Sequence, residues 1–291
     1  MVDRLKRFLL APVRWGLGLA GRVYVPGGEL HDALSVSSQL TLDGRRHVTL
    51  GYFHSDDDTP ADVASAVSQA LTAVSAQFPG SYVSIKVPAL AYRRDLLEPL
   101  VRACMEHGVL VHFDSHEIHK AEQTLQCVRD AVAWGARVGL SVPGRWQRSM
   151  VDAVEMARLG VRVRLVKGEW ADPADPRRDL RAGFLQIAER LANASDVPVA
   201  LASHDLPLVK EAAGMLRAAS RPCELELLNG LPSRELVQWA DEQGLPVTYY
   251  VPYGISWRPY AVGKALRHPH IIWWVFKDAL RGAWRIVMKP Q

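Results

Sequence analysis

The sequence has few cysteines and no long apolar run, and both absences restrict what the chain can be. Cys104, Cys127 and Cys223 are separated from one another, and no two of them form a CxxC pair. An odd number of isolated cysteines is typical of buried thiols in a reducing compartment, so we expect a cytoplasmic protein without disulfides. No run reaches the ~20 apolar residues of a spanning helix. The N-terminal segment has no signal-type cleavage site, so we expect no secretory signal.

Familiar metal and dinucleotide motifs are also missing. The chain contains no HxH pair, which argues against the common two-metal hydrolase barrels. His112 and Asp114 share a strand face, but further histidine ligands lack matching positions, so we predict no metal site. Residues 16–21 match GxGxxG, yet no strand precedes them and an extended-looking segment follows. We therefore reject a dinucleotide fingerprint there.

Positive charge is concentrated at the two ends of the chain. The formal net charge is only +4, but basic residues outnumber acidic ones in residues 1–22 and again after Pro269, where tryptophans lie among them. We favour terminal helices that pack on the rest of the protein. The alternative is peripheral contact with an anionic membrane surface, at its inner face, or with another protein. No basic stripe follows one element, so nucleic-acid binding is not expected.

Strand-like and helix-like segments alternate along most of the chain. The strand-like segments begin at residue 46 and read RHVTLGYFH, YVSIKVPAL, VLVHFDS, ARVGLSVP, VRVRLVKG, VPVALASH, CELELLNG and PVTYYVP. Eight such repeats predict an α/β protein with a (β/α)8 barrel, and they favour it over a doubly wound open sheet. We place the barrel at residues 46–268, a basic helical extension at 1–45 and a basic aromatic helix at 269–291.

Polar residues collect at the carboxyl ends of these predicted strands, where barrel enzymes have their active sites. They are His54, Lys86, Asp114, Arg145, Arg164, Lys167, His204, Glu226, Asn229, Tyr250 and Tyr253. Lys86 or Lys167 could form a Schiff base, as in aldolase-type barrels. Alternatively, these lysines could pair with Asp114 or Glu169. Arg164 lies inside a strand, and its buried charge requires a partner. That partner is either Asp114 or an anionic cofactor.

The last repeat, residues 246–269, has the most distinctive pattern. A strand ends near Pro252, and a helix that begins after Ser256 returns over the same end of the barrel. Tyr260 and Lys264 are four residues apart and share a face of that helix. The segment resembles the last strand and helix of the proline dehydrogenase family, in which the strand ends in Tyr-x-Pro-x-Gly. Tyr250, Pro252 and Gly254 match that pattern.

Five further segments are similar to motifs of the same family and follow in the family's order. They are SIKVPAL (84–90), HFDSHE (112–117), RLVKGEW (164–170), LASHD (201–205) and ELELLNG (224–230). The corresponding family motifs are Lys-Leu-Thr-Ala-Leu, Asp-Ala-Glu-Glu, Arg-Leu-Val-Lys-Gly-Ala-Tyr, Ala-Thr-His-Asn and Glu-Phe-Gln-Met-Leu-x-Gly. Each match is short, but each falls on the corresponding strand.

The resemblance implies a flavoprotein that binds FAD at the barrel mouth without a Rossmann motif. It implies hydride transfer from a secondary amine, proline or a proline-like cyclic amine, to flavin N5, which yields an imine. It also implies a quinone or another electron acceptor, which suits peripheral membrane contact. The implied cofactor contacts are Arg164, Lys167, Gly168, Trp170, His204 and Glu226. The implied substrate contacts are Lys86, Asp114, Tyr250, Tyr260 and Lys264, and the catalytic groups are Arg164, Lys86, Asp114 and Tyr250.

The chain departs from the family where the substrate carboxylate is bound. The family has two adjacent arginines that hold the carboxylate, and this chain has Gly263 and Lys264 there. Glycine donates nothing, and a lysine lacks the two-pronged guanidinium. Pro143 and Glu226 stand where the family has glutamines. We therefore expect weak proline binding or a different amine substrate. A Schiff-base lyase, a flavin-binding barrel that has lost activity and a non-catalytic binding barrel are the alternatives.

Overall fold

A computed structural model describes residues 27–194 and 196–257, and these residues form a closed barrel of parallel strands. The strands are β1 (Arg46–Tyr52), β2 (Tyr82–Ile85), β3 (Val111–Phe113), β4 (Val138–Pro143), β5 (Arg162–Val166), β6 (Val199–Ala202), β7 (Cys223–Leu228) and β8 (Val247–Tyr253). Each strand pairs with the next one in sequence, and β8 pairs with β1 to close the ring. The predicted (β/α)8 barrel is therefore confirmed, and the open sheet is excluded.

Eight α-helices surround the strands within the described residues. They are α1 (Leu30–Leu40), α2 (Pro60–Gln77), α3 (Arg94–Glu106), α4 (Ala121–Ala133), α5 (Ser149–Arg158), α6 (Leu180–Ala194), α7 (Leu206–Ala218) and α8 (Arg234–Gln243). Helix α1 precedes the barrel and packs against β8 and β1. The helices predicted for residues 1–20, for the segment after Ser256 and for residues 269–291 lie outside the described residues, apart from the first turn at Trp257.

Local sequence signals set the helix boundaries. Thr59 caps α2, because its hydroxyl accepts from the Asp62 amide while the Asp62 carboxylate accepts from the Thr59 amide. Pro60 occupies the first turn, where its missing N–H costs nothing. At the other end of the barrel sequence, α8 stops at Gly244, which adopts a left-handed conformation. The residues at these two helix ends therefore account for where the helices begin and stop.

Strand β2 is shorter than the sequence predicts. The apolar run predicts a strand over residues 82–90, but the strand ends at Ile85 and a 3₁₀ turn follows over Val87–Leu90. Pro88 explains the difference, because it has no N–H for a ladder hydrogen bond and its fixed φ suits the start of a turn. As a result Lys86 lies at the rim of the barrel and not within a strand.

Side chains along each strand alternate between two layers, one between the strands and the helices and the other inside the barrel. The outward row packs against the helices and is apolar; Leu165 of β5 and Phe184 of α6 are both fully buried in this layer. Complete burial of side chains of this size contributes about 1.5–3 kcal/mol each. The inward row is largely polar, and it includes buried His112, Ser141, Arg164, Glu226 and Thr248. The polar groups therefore converge on the barrel axis.

No helix in the described part of the chain combines the length and apolarity needed to cross a membrane.

Candidate active site

Asp114 lies at the centre of the polar groups at the barrel mouth. Its carboxylate accepts from Arg164 Nη1 at 2.8 Å and from the Tyr250 hydroxyl at 3.0 Å, and Lys86 Nζ lies 3.5 Å away. Burial alone would raise the pKa of Asp114, but the positive charges of Lys86 and Arg164 outweigh it, and the pKa lies below its ordinary value. The predicted Arg164–Asp114 pair is therefore present, and four residues predicted as catalytic groups are brought together.

Lys86 is held at the rim of the barrel by β1 and β8. Its ammonium donates to the Tyr52 carbonyl at 3.0 Å and to the Tyr250 hydroxyl at 3.2 Å, and it lies 3.9 Å from the centroid of the Phe53 ring. Burial lowers the pKa of Lys86, and the nearby Asp114 only partly opposes this effect. The same amine thus has cation–π, hydrogen-bond and charge contacts that fix its position.

Arg164 is buried between two carboxylates. Besides Asp114 on one side, Glu226 approaches its Nη2 at 2.5 Å on the other. The pKa of Glu226 would be raised by burial, but the charges of Arg164 and Arg162 lower it. Glu226 also accepts from the Tyr82 hydroxyl at 2.8 Å. The Glu226 carboxylate is therefore engaged by protein groups beneath Arg164.

A second charged layer lies below Arg164 and was not recognised in the sequence. Arg162 donates to Glu224 at 2.7 Å and lies 3.2 Å from Glu226. All three side chains are largely buried. Arg162 and Arg164 are two residues apart, as are Glu224 and Glu226. A period of two places both members of each pair on one strand face. This spacing was the available signal, because the inward position of one member implied the inward position of the other.

Gly51 of β1 makes room for Tyr250. A Cβ atom at position 51 would lie 2.0 Å from the Tyr250 hydroxyl oxygen and 2.5 Å from its Cζ. Tyr250 cannot easily move away, because its hydroxyl bonds to both Asp114 and Lys86. Tyr250 can therefore occupy this position only because residue 51 has no side chain.

The substitution Gly51→Ala is expected to destabilise the protein by about 1–3 kcal/mol, the usual cost of forcing extra volume into a packed interior. Denaturant unfolding of the variant measures this loss. Gly214→Ala is the matched control, because Gly214 lies on the exposed face of α7 with no atom near the added methyl group. There the change should stabilise the helix by about 0.5–1 kcal/mol. Equal effects at both glycines would contradict the packing role of Gly51.

His116 and Trp170 connect the loops after β3 and β5. Their rings stack with centroids 5.3 Å apart and an interplanar angle of 21°. Only 16% of the His116 side chain is exposed. Burial, with a smaller effect from Lys86, lowers the pKa of His116 to about 4. The loop that carries Trp170 is therefore anchored against a neutral imidazole at neutral pH.

The low pKa of His116 predicts a loss of stability in acid. Between pH 6.5 and pH 4 the unfolded chain binds a proton at this histidine and the folded chain does not, so the free energy of unfolding falls as pH falls. From pH 7 to pH 5 the contribution is about 2 kcal/mol. His116→Phe keeps an aromatic ring beside Trp170 and should reduce this slope in denaturant unfolding. His107→Gln, at an exposed position, is the control, and an unchanged slope in the His116 variant would contradict the assignment.

The residues that the resemblance implies for cofactor binding lie around the mouth, and several have protein partners. Lys167 pairs with Asp205 at 2.8 Å, a partner that the sequence did not suggest. The His204 ring is held by two backbone groups, since the Leu228 amide donates to Nε2 at 3.1 Å and Nδ1 lies 3.0 Å from the Pro232 carbonyl. His204 is therefore neutral with its proton on Nδ1, which leaves its ring face for contacts.

Gly168 and Trp170 shape the rim next to Arg164. Gly168 has a φ of +94°, and a Cβ there would lie 2.8 Å from the Cβ of Pro143. A glycine is required at that turn because of both its conformation and the close approach of β4. The Trp170 carbonyl accepts from Trp146 Nε1 at 2.9 Å. The loops after β4 and β5 are thus fixed to each other.

The donor set at the mouth fits a flavin. Arg164 Nε and Arg145 Nε are shielded from solvent and have no hydrogen-bond partner among the described residues. Buried donors of this kind require acceptors, and the carbonyl oxygens and ring nitrogens of an isoalloxazine are acceptors. Tyr260, Gly263 and Lys264 lie outside the described residues. No three His, Cys, Asp or Glu side chains within residues 27–194 and 196–257 form a metal-binding group.

Comparison with known proteins shows which proteins this chain resembles. No family model matches the chain. Proline dehydrogenase 1 of Bacillus subtilis (strain 168) is 24% identical over 283 residues, which cover 92% of this chain and 93% of the relative. Proline dehydrogenase of Deinococcus radiodurans is 23% identical over 279 residues, 89% of each chain. These relatives confirm the resemblance found in the sequence and the prediction of an oxidoreductase.

Solved structures share the barrel. Proline utilization A from Bdellovibrio bacteriovorus, inactivated by N-propargylglycine, aligns with a TM-score of 0.71 at 17% identity and covers 86% of this chain. A single-residue variant of proline utilization A from Bradyrhizobium japonicum aligns with a TM-score of 0.66 at 19% identity over the same share. The present chain spans about a third of the length of these solved chains (32% and 31%). At this identity the likeness is one of fold.

Proposed function

We propose that this chain, a relative of the proline dehydrogenases, is an FAD-dependent oxidoreductase that oxidises a secondary amine, either proline or a proline-like cyclic amine. The proposal is carried by one observation. Asp114 lies within 3.5 Å of Lys86 and accepts hydrogen bonds from Arg164 and Tyr250 at the barrel mouth. The curated relatives are named for proline, which favours this substrate class.

The residues that would hold the flavin are those whose donors and surfaces face the mouth. Arg164 would donate to the ring from its Nε, His204 would contribute its ring face, and the loop of Gly168 and Trp170 would form a wall. A bound flavin supplies the oxidant that converts the amine to an imine. A buried guanidinium beside the ring favours negative charge on it, because such donors act strongly in a site that excludes water.

The substrate would be positioned by Lys86, Asp114 and Tyr250. The pKa of Tyr250 is raised well above its ordinary value by burial and by Asp114, so the phenol keeps its proton and acts as a donor. Asp114 remains ionised and orders the donors around it. These groups are fixed before a substrate arrives, which reduces the entropy lost when the reacting atoms are aligned. We further propose that the electrons pass to a quinone or a similar acceptor.

Visible absorption spectroscopy tests the flavin directly. The purified chain, or the chain mixed with FAD and then desalted, is expected to show a flavin band. Arg164→Lys keeps the charge but removes the planar fork, and it should weaken flavin retention by about tenfold or more. Arg102→Lys, on the exposed face of α3, is the matched control. A colourless wild-type protein that takes up no FAD would exclude the proposed function.

The lowered pKa of Lys86 favours a second candidate, a Schiff-base lyase. Because burial lowers the pKa of Lys86, a larger fraction of its amine is neutral, which is the usual way in which a lysine becomes a nucleophile. Borohydride reduction in the presence of small aldehydes and ketones, followed by mass spectrometry, would detect an adduct on Lys86. Absence of any adduct would exclude the lyase and leave the oxidoreductase untouched.

A further inference from the structure

His112 lies inside the barrel in a space that a glycine provides. The side chain is fully buried and belongs to the inward row of β3. A Cβ atom on Gly139, its paired residue on β4, would lie 2.5 Å from His112 Nδ1. The centroid of the Tyr82 ring lies 6.0 Å from that of the imidazole. The sequence of β4 therefore leaves room for the His112 ring, as Gly51 of β1 does for Tyr250.

His112 and Asp114, which share a strand face, both lead to one nitrogen of Arg164. Asp114 accepts directly from Nη1 at 2.8 Å. The Ser141 hydroxyl accepts from the same nitrogen at 3.3 Å, and its oxygen lies 3.0 Å from His112 Nε2. A terminal guanidinium nitrogen carries two hydrogens, so both hydrogens of Nη1 have an acceptor. One residue of the strand face thus acts on the guanidinium directly and the other acts through Ser141.

The hydrogen bonds of Ser141 determine the tautomer of His112. If the hydroxyl donates to Nε2, the ring carries its proton on Nδ1, and that N–H alone in this group has no partner among the described residues. If Nε2 carries the proton instead, both the hydroxyl hydrogen and Nδ1 are left without partners there. Buried polar atoms without partners cost free energy, so the first arrangement is favoured.

His112 is neutral, which this arrangement requires. Burial lowers the pKa of His112 well below its ordinary value, and the positive charges of Arg164 and Arg162 lower it further. A protonated ring would donate from Nε2, and the Ser141 hydrogen would then have no acceptor within the described part of the chain. The neutral ring takes that hydrogen, and the Ser141 oxygen accepts from Arg164.

We propose that His112 is a positioning residue for the flavin site. It accepts the hydrogen of the Ser141 hydroxyl, so that the Ser141 oxygen holds Nη1 of Arg164 and fixes the guanidinium in an orientation that leaves Nε for the ring. This inference rests on the proposed function and deepens it. His112 acts only through Ser141 and Arg164, since it is enclosed by the barrel.

Nitrogen NMR of the chain with isotope-labelled histidine tests the Ser141–His112 hydrogen bond without any flavin. His112→Gln removes one residue's signals and so identifies the resonances of His112. They are expected to show a neutral ring at neutral pH, with a protonated Nδ1 and a bare Nε2. Ser141→Ala should shift the Nε2 resonance, because its hydrogen-bond donor is gone. A protonated Nε2 in the wild-type chain would overturn the proposal.

Flavin binding measures the consequence for Arg164. His112→Phe keeps a ring beside Gly139 but offers no acceptor, and it should weaken FAD binding by about fivefold, the value of one neutral hydrogen bond. It should also make the reduction potential of the bound flavin more negative, because a displaced guanidinium stabilises the reduced ring less. His112→Gln offers an amide oxygen at a similar reach and should restore both values. His107→Phe, at an exposed position, is the matched control.

The outcomes separate this inference from the proposed function. If the wild-type chain takes up no FAD, the proposed function fails, and the histidine spectrum still decides whether Ser141 donates to His112. If the chain binds FAD but the phenylalanine and glutamine variants of His112 change affinity and potential equally, or change neither, the inference fails alone. If His112→Phe does not fold, Ser141→Ala decides, because it removes the oxygen that accepts from Nη1 and should cause the same loss.

Discussion

Replacing Arg164 by methionine is expected to lower the free energy of unfolding by about 3–5 kcal/mol, the range observed when one partner of a buried ion pair is removed. Methionine has a similar length and removes only the charge and the donors. Asp114 and Glu226 would then lose their shared cation while they remain buried. Denaturant unfolding monitored by tryptophan fluorescence would measure the change.

The pH dependence of this loss distinguishes charge from packing. In the wild-type protein the pKa values of Asp114 and Glu226 are lowered, so their contribution to stability is complete above about pH 4, near the unfolded pKa, and is lost as pH falls further. Without Arg164 both pKa values rise, and protonation relieves the unpaired charge. The difference in unfolding free energy between wild type and variant should therefore be largest near pH 7 and should decrease in acid.

A double variant identifies the source of the effect. Arg164→Met combined with Glu226→Gln removes one of the stranded carboxylates and should recover part of the stability that the single methionine variant loses. Arg93→Met is the control, because Arg93 pairs with Asp95 on the exposed surface and such pairs contribute little to stability. A double variant that is less stable than Arg164→Met alone would contradict the role of the stranded charge.

The sequence was sufficient for the architecture and for the four residues at the mouth. Alternation of short apolar segments with amphipathic ones requires each strand to be covered by a helix, and eight repeats close the ring. Arg164 within an apolar strand required an anionic partner, either Asp114 or a cofactor, and the structure pairs it with Asp114 at the carboxyl end of β3. This part of the site follows from local patterns because all parallel strands end on the same side of the barrel.

Contacts that depend on the stagger of the strands could not be predicted from these local sequence patterns. The alternation assigns Arg162 and Glu226 to the inward face, but their distance of 3.2 Å depends on the tilt and shear of the closed barrel. In the same way Lys167 reaches Asp205 from the neighbouring loop, and His116 stacks on Trp170 across two loops. These pairs depend on the geometry of the loops, which no periodicity in the sequence predicts.

Replacing Asp114 by asparagine should have the largest effect on activity. The amide keeps the shape of the carboxylate, but it offers one acceptor oxygen where Arg164, Tyr250 and Lys86 all donate or carry positive charge. Its NH2 group must then face a donor. Since a displacement of about 1 Å at a reacting centre can cost 100-fold in rate, we expect kcat/KM for the oxidised amine to fall by about 100-fold or more.

The same variant should also lose stability, by about 3–5 kcal/mol, because Lys86 and Arg164 share a carboxylate that disappears. Retention of the flavin band would separate a defect in substrate positioning from loss of the cofactor, since Asp114 is assigned to the substrate side. Asp95→Asn is the matched control, because Asp95 pairs with Arg93 at the exposed start of α3. If both asparagine variants oxidise the amine at rates within threefold of wild type, Asp114 does not organise the reaction, and the cluster at the barrel mouth is structural.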